Sequence, residues 1–448
     1  MILIKFVIAI IFTFFAGACV FRLFMKDKSV SGLLFIATSF FIGMSAISFQ
    51  MQLYSLVGIQ FSALKLGLPW LIFLPLFLKE KYLFKVKINL RKVDSPLLLF
   101  FLLITVFQLS LIFLRFFLHR NAIGWDGISI WYYKANAFFV DKTIDFSIFT
   151  NPLLGQEGLT DTYIRSSYPL FLPLYLAFIF LTIGKFSIFF GNIIWILCYL
   201  LLLVVLYKFL LRRFNFSFAV LGIFLLVSLP ANFDHLAGKY AGYADLILMC
   251  FATTGVIFFL EGIFRKKLYY LSISLLLASA AANIKEDGMV FLAAIAIMFT
   301  LTSFAKRKFT NLKYLAVPLL IVSPWYVIRD ILRFPSLLDA SSGVHFDRLA
   351  TIVVVIFQQF FDVGNFLFLF PLFLLTLVFS YRVIFKQYYV YLLVVIGMVI
   401  ACYVIIFMLT PLDPVRHINS LADRILYTVS PLMIIFILQT FWNSYIEK

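Results

Sequence analysis

The residues best able to do chemistry sit in short polar stretches between long apolar runs. One stretch reads Gly124-Trp125-Asp126-Gly127-Ile128-Ser129-Ile130-Trp131-Tyr132-Tyr133-Lys134-Ala135. Asp126 lies between glycines just after an apolar run. It is either the helix N-cap that Asp favours or a general base placed where a lipid headgroup and a polar acceptor hydroxyl meet. Lys134 and Arg165 follow in the same segment, 118–167. At a bilayer surface Arg holds phosphate bidentately and Lys holds it as a point charge; both also snorkel there without any ligand.

Three later stretches add to this set. Gly242-Tyr243-Ala244-Asp245 puts a carboxylate at the mouth of an apolar run, which reads as an N-cap or as a site residue facing the interior. Lys285-Glu286-Asp287-Gly288 places three charges at a junction, either as a self-compensated ion pair or as part of a site. Asp413-Pro414-Val415-Arg416-His417 precedes Ser420, Asp423 and Arg424. Positions 417, 420 and 424 share one helical face, so His417, Ser420 and Arg424 are expected to approach one anionic group together.

The elements that position these residues are apolar helices. The chain has 448 residues, of which 64% are hydrophobic and 13% charged, and 58 are Phe. A soluble domain of this length needs more polar surface, so lipid must cover the excess. Spans must be helical, because lipid offers no partner to an open strand edge. About 20 apolar residues cross the hydrocarbon, which predicts an all-α polytopic bundle of 12–14 apolar helices. Residues 128–140 are expected to lie as a helix in the interface, with Trp131, Tyr132 and Tyr133 in the headgroup layer.

The net charge of +17 reports topology rather than nucleic acid. Basic residues cluster in short loops (Lys79–Lys92, Arg212 and Arg213, Arg265–Lys267, Lys306–Lys313), which mark the cytoplasmic side, with some attraction to anionic lipid. The segment 118–167 and the turns near 234–243, 284–287, 333–362 and 410–424 then share the other side. One parity conflict arises: three apolar runs separate 118–167 from the turn near 240. Either the proline-bearing run 168–184 does not cross fully, the preferred reading, or Arg212 and Arg213 break the charge rule. Cys19, Cys198, Cys250 and Cys402 lie in apolar runs and read as core residues. Ala16-Gly17-Ala18 faintly resembles a signal cleavage site, but with so many later spans an uncleaved first helix is the simpler reading.

Taken in order, Gly-Trp-Asp-Gly at 124–127 with Ser129-Ile130-Trp131, Lys134-Ala135, Tyr168-Pro169 to Pro173, Gly242-Tyr243-Ala244-Asp245, Lys285-Glu286-Asp287-Gly288, and Arg416-His417 through Asp423-Arg424 resemble the GT-C superfamily of membrane glycosyltransferases. The likeness is to the branch of protein O-mannosyltransferases and lipid A aminoarabinose transferases, and it runs from about 96 to 443. It implies a GT-C-like bundle with accessory helices in 1–95, a catalytic module in 96–332, and loops and helices in 333–448 that complete the donor site. Such enzymes invert configuration and take a sugar from a polyprenyl-phosphate donor at the outer face of the inner membrane. The acceptor is a lipid, a glycan or a protein.

In that family an acidic residue of the first large external loop is the base, which maps to Asp126. The second acidic position maps to Asp245, and basic residues of later loops hold the donor phosphate. The family often has Lys-Asn-Glu-Gly where this chain has Lys285-Glu286-Asp287-Gly288, so Glu286 and Asp287 both stand for that carboxylate. Some relatives bind a divalent metal and others do not, which leaves a requirement for Mg or Mn open. The alternative function is a transporter or flippase of a lipid-linked or small anionic substrate. Asp126 and Asp245 on opposite sides of the membrane would favour it.

Overall fold

The computed structural model describes residues 1–24, 32–75, 95–144, 168–331, 343–381 and 389–445. In chain order its principal helices are α1 (Ile2–Phe24), α2 (Gly32–Leu56), α3 (Pro96–Leu118), α4 (Tyr133–Asp141), α5 (Phe171–Ile183), α6 (Ile188–Arg213), α7 (Phe216–Val227) and α8 (Ala231–Ala237). There follow α9 (Ala244–Arg265), α10 (Leu268–Ile284), α11 (Gly288–Ala305), α12 (Ala316–Ile331), α13 (Leu349–Gln359), α14 (Leu369–Phe379), α15 (Tyr389–Leu409) and α16 (Pro414–Tyr445). No strand occurs among the described residues. Nine helices there are long and apolar enough to cross a membrane, and α7 with α8 forms one further pair bent by 65°. Four shorter apolar helices complete the expected set. The chain is an all-α, multi-pass membrane protein.

At the core lies α9, whose apolar window is wholly buried, flanked by α10, α6 and α16. By contrast, α3 is largely exposed apolar surface, as a lipid-facing helix should be. The first two helices cross closely because each brings a glycine to the other's backbone. A Cβ on Gly17 would stand 1.7 Å from the Ser39 carbonyl oxygen, and one on Gly43 would stand 1.9 Å from that of Thr13. Small residues at such crossings let helices approach where lipid gives no hydrophobic drive. This pair then packs on α5, with the Ser48 hydroxyl donating to the Phe171 carbonyl and Thr13 bonded to Tyr175.

The run at 168–184 behaves as the parity argument requires. Its 13-residue helix α5 is about 20 Å long at 1.5 Å per residue, short of a hydrocarbon core of about 30 Å. Both of its ends stay beside the segment that follows α3. Tyr168 stacks on Trp131 at 5.6 Å, while Phe180 lies 6.2 Å from Tyr132 and 6.3 Å from Phe139. At the far end of the bundle, Arg213 of α6 and Arg265 of α9 share Glu261. Arg212 and Arg213 therefore keep the charge pattern, and α5 is the run whose two ends lie at one end of the bundle. The end holding residues 119–144 is hereafter the loop end, and the other the basic end.

Two expectations are corrected. The run at 60–78 is not one long helix: Ala63–Gly67 and a tight turn of helix at Leu68–Phe73 fold back along α2. Tyr54 donates to the Lys65 carbonyl and Trp70 to the Gln50 side chain. Nor do Trp131 and Tyr132 sit in the headgroup layer. Both are buried, Tyr132 stacking on Trp195 and donating to Asn192 Oδ1 at 2.7 Å. The protein interior satisfies the Tyr132 hydroxyl and stacks the Trp131 ring on Tyr168, so neither needs the interface to be covered. The exposed aromatic here is Trp125.

Candidate active site

Four separated stretches meet at the loop end, and glycines make the meeting possible. The Gly124 N–H donates to the Ala241 carbonyl at 2.8 Å. A Cβ on Gly124 would stand 2.2 Å from the Lys239 carbonyl oxygen, and one on Gly127 would stand 2.8 Å from that of Ala241. Gly242 holds a φ of +81°, a region in which only glycine is free of strain. The segment carrying Asp126 is thus pressed onto the turn before α9. Gly288 does the same for the α10–α11 junction, where a Cβ would meet the Ala281 carbonyl oxygen at 2.0 Å.

The Asp126 carboxylate does not cap its helix. Instead Asp126 Oδ2 lies 3.1 Å from Arg424 Nη1. Arg424 Nε donates to Asp245 Oδ2 at 2.8 Å, so one guanidinium joins two carboxylates. Lys285 Nζ lies 2.9 Å from the other oxygen of Asp245 and 2.5 Å from Asp287. Tyr403 of α15 is buried next to Asp287. The result is an alternating chain, Asp126–Arg424–Asp245–Lys285–Asp287, drawn from four parts of the sequence.

Two of its three carboxylates, Asp126 and Asp245, differ in exposure. The Asp245 side chain is 2% exposed and that of Asp126 is 28% exposed, so Asp126 alone of this pair can meet an incoming group. Arg424 also stands 4.6 Å over the Tyr243 ring, a geometry that adds cation–π attraction. Burial by itself would depress the Lys285 ammonium. The charges of Asp245 and Asp287 outweigh burial and hold it above the ordinary lysine range. A second layer sits on the rim: Tyr240 donates to Asp423 at 2.5 Å, and Lys239 reaches the same carboxylate at 3.3 Å. Burial, reinforced by Asp423, pushes the Tyr240 hydroxyl up, so it remains a donor.

The other expected residues are distributed as follows. Glu286 leaves the chain and pairs with Arg329 at 3.2 Å, so Asp287 is the carboxylate of that stretch which joins it. Lys134 is fully buried beneath α5 and does not snorkel. Arg165 lies outside the described residues. His417, Ser420 and Arg424 do share α16, but they do not converge. Ser420 donates to the His417 carbonyl, the His417 ring lies edge-on to Phe407 at 5.3 Å, and Arg424 alone reaches the carboxylates. Asp413 caps α16, accepting from the Arg416 N–H at 2.8 Å.

Tyr403 and Arg329 escaped the sequence reading. Tyr403 is one aromatic in an unbroken apolar run, and Arg329 closes another; neither carries a local signal. The donor set at this site does not suit a divalent cation. Asp245 and Asp287 are already held by Lys285, and Asp126 by Arg424. Among the described residues no three His, Cys, Asp or Glu side chains stand together as a metal site.

No curated protein and no solved structure matches the chain. Its residues 168–328 match the family of dolichyl-phosphate-mannose-protein mannosyltransferases. That stretch, about a third of the chain, holds Asp245, Lys285, Glu286 and Asp287, while Arg424 reaches Asp245 from outside it and brings Asp126 with it; the match supports a membrane glycosyltransferase of the GT-C superfamily.

Proposed function

We propose that this protein transfers a sugar from a polyprenyl-phosphate donor to a lipid, glycan or protein acceptor at the outer face of the inner membrane, with inversion. The observation that carries this reading is Arg424, one buried guanidinium within 3.1 Å of Asp126 and 2.8 Å of Asp245. Asp126 is the base. It takes the acceptor's hydroxyl proton as the acceptor oxygen bonds to the anomeric carbon. The bond from that carbon to the phosphate oxygen breaks, and its electron pair leaves with the polyprenyl phosphate. Arg424 lies where the leaving phosphate gains charge, and such preorganised stabilisation is commonly the largest contribution to rate. Asp245 and Lys285 hold Arg424 in place from behind. Lys134, His417 and Ser420 belong to the wider surroundings of the donor, with Lys134 acting through packing.

A carrier fits this arrangement less well. Its charged groups would lie near mid-membrane, whereas Asp126 and Asp245 meet at one end of the bundle. The test is cell-free transfer of labelled sugar from a panel of polyprenyl-phosphate sugars by the purified protein. Asp126→Asn should lower transfer by about 10²–10⁴-fold while its melting profile stays near that of the wild type. Full activity of the variant would remove Asp126 from the mechanism. Movement of lipid or solute in proteoliposomes, with no transfer from any donor, would overturn the enzyme reading.

A further inference from the structure

A second charged cluster lies at the basic end, and the sugar-transfer reading makes no use of it. Glu261 of α9 is buried. One of its oxygens accepts from Arg265 Nε, and the other lies 3.6 Å from Arg213 Nε. The Arg213 guanidinium sits 3.3 Å from the centre of the Phe264 ring. Arg212 stands beside it, with Nη1 buried and without a hydrogen-bond partner among the described residues. At the start of α10, Tyr270 packs on Tyr269 at 4.6 Å and lies 5.6 Å from the Arg265 guanidinium. Its side chain is fully buried, and its hydroxyl has no hydrogen-bond partner among the described residues. Arg265 thus touches both the Tyr270 ring and Glu261, which in turn meets Arg213, so the ends of α6 and α9 and the start of α10 form one cluster.

Two guanidinium groups therefore hold one carboxylate, with Arg212 next along α6 and Lys208 adding a fourth positive charge that acts on Arg212. The positive-inside pattern explains why basic residues occupy this end. It does not explain why donor atoms of Arg212 and Tyr270 are withdrawn from water and left without acceptors, since such groups are costly unless paired. The missing component is an anion with several acceptor oxygens, which describes a phosphate. Its depth favours a lipid over a free ion. Trp442, tilted against Phe214 and Phe218 at 5.5 and 5.2 Å, marks the headgroup level at the same end.

We propose that the ends of α6 and α9 and the start of α10 bind the phosphate of an anionic phospholipid, through Arg212, Arg213, Arg265 and Tyr270, at the end of the bundle opposite Asp126. Basic pockets between helices on the cytoplasmic side suit such headgroups. The site is independent of the sugar-transfer reading. The experiment is native mass spectrometry of the full chain in detergent, supplied with phosphatidylglycerol or phosphatidylcholine.

Phosphatidylglycerol should be retained preferentially, and Arg212→Gln should reduce that retention about tenfold, the loss of one charge-assisted bond. Tyr270→Phe removes only a hydroxyl, so the fold is kept, and should reduce retention about threefold. Lys313→Gln, in a different basic loop, should change nothing. Equal retention of the two lipids would overturn the proposal. So would an equal loss in Lys313→Gln, which would mean diffuse surface charge. Inorganic phosphate that displaced the lipid at millimolar concentration would assign the site to the free ion and also overturn it.

Discussion

Helix α9 carries a buried carboxylate near each end, and the two are used differently. Asp245 and Glu261 are 16 residues apart, roughly 24 Å along the helix axis. Glu261 finds one partner a single turn away, Arg265, and another at the adjoining end of α6, Arg213. Asp245 is held by Lys285 and Arg424, 40 and 179 residues further along the chain. A helix end at a membrane surface collects a local ion pair with little demand on the fold. An ion pair closed by four distant elements exists only once the whole bundle has assembled. The loop end is therefore where the fold holds a geometry, and the basic end is where it holds a charge excess.

Removing Asp245 should break this contrast most severely. Asp245→Asn leaves Arg424 and Lys285 as buried cations without their shared counter-ion, since neither has more than 11% of its side chain exposed. Breaking a buried pair in this way costs about 3–5 kcal/mol. Thermal unfolding in detergent should show the loss, with transfer activity reduced as well. An unchanged midpoint would mean that the cluster is not cooperative with the fold.

A milder perturbation separates position from charge. Gly124→Ala keeps every charge but forces a methyl group to within 2.2 Å of the Lys239 carbonyl oxygen and 2.5 Å of Tyr243. Overpacking of this kind costs about 1–3 kcal/mol. The segment bearing Asp126 should lift from the turn and lengthen the 3.1 Å contact with Arg424. Transfer is then expected to fall about 10–100-fold, as small misplacements of reacting groups do. The midpoint of unfolding should move less than in Asp245→Asn. A variant with wild-type transfer would show that the close contact of loop and turn does not position Asp126.

Much of this site was legible because Asp126, Asp245, Lys285, Asp287 and Arg424 each interrupt an apolar run, where a charge stands out. Their pairing was not legible. Helical spacing along α16 suggested a joint role for His417, Ser420 and Arg424, but spacing reports a shared face and not what stands opposite it. Only Arg424 meets Asp126 and Asp245, because α9 and the segment at 124–127 pack near that turn alone. The aromatic residues misled for a related reason. Trp131 and Tyr132 have the composition of an interfacial belt, yet a stacked Tyr168 and an Asn192 acceptor satisfy them inside the protein. Counting loop charges did better: parity left either one run that does not cross or a break in the charge rule at Arg212 and Arg213, and the short helix α5 fits the first.

The smallest effect is expected at the other end of α9. Glu261→Gln also removes a buried carboxylate, but the side chains it leaves are Arg213 and Arg265, which are 25% and 36% exposed. Both can turn their guanidinium groups toward water or an anionic headgroup, so no cation is stranded. The loss should be about 1–2 kcal/mol, well below that of Asp245→Asn, with transfer unaffected. Added phosphatidylglycerol should restore part of it, because the excess positive charge at this end increases when the carboxylate is gone. If Glu261→Gln were as damaging as Asp245→Asn, the basic end would be a structural clamp of equal weight, and the division of labour along α9 would be wrong.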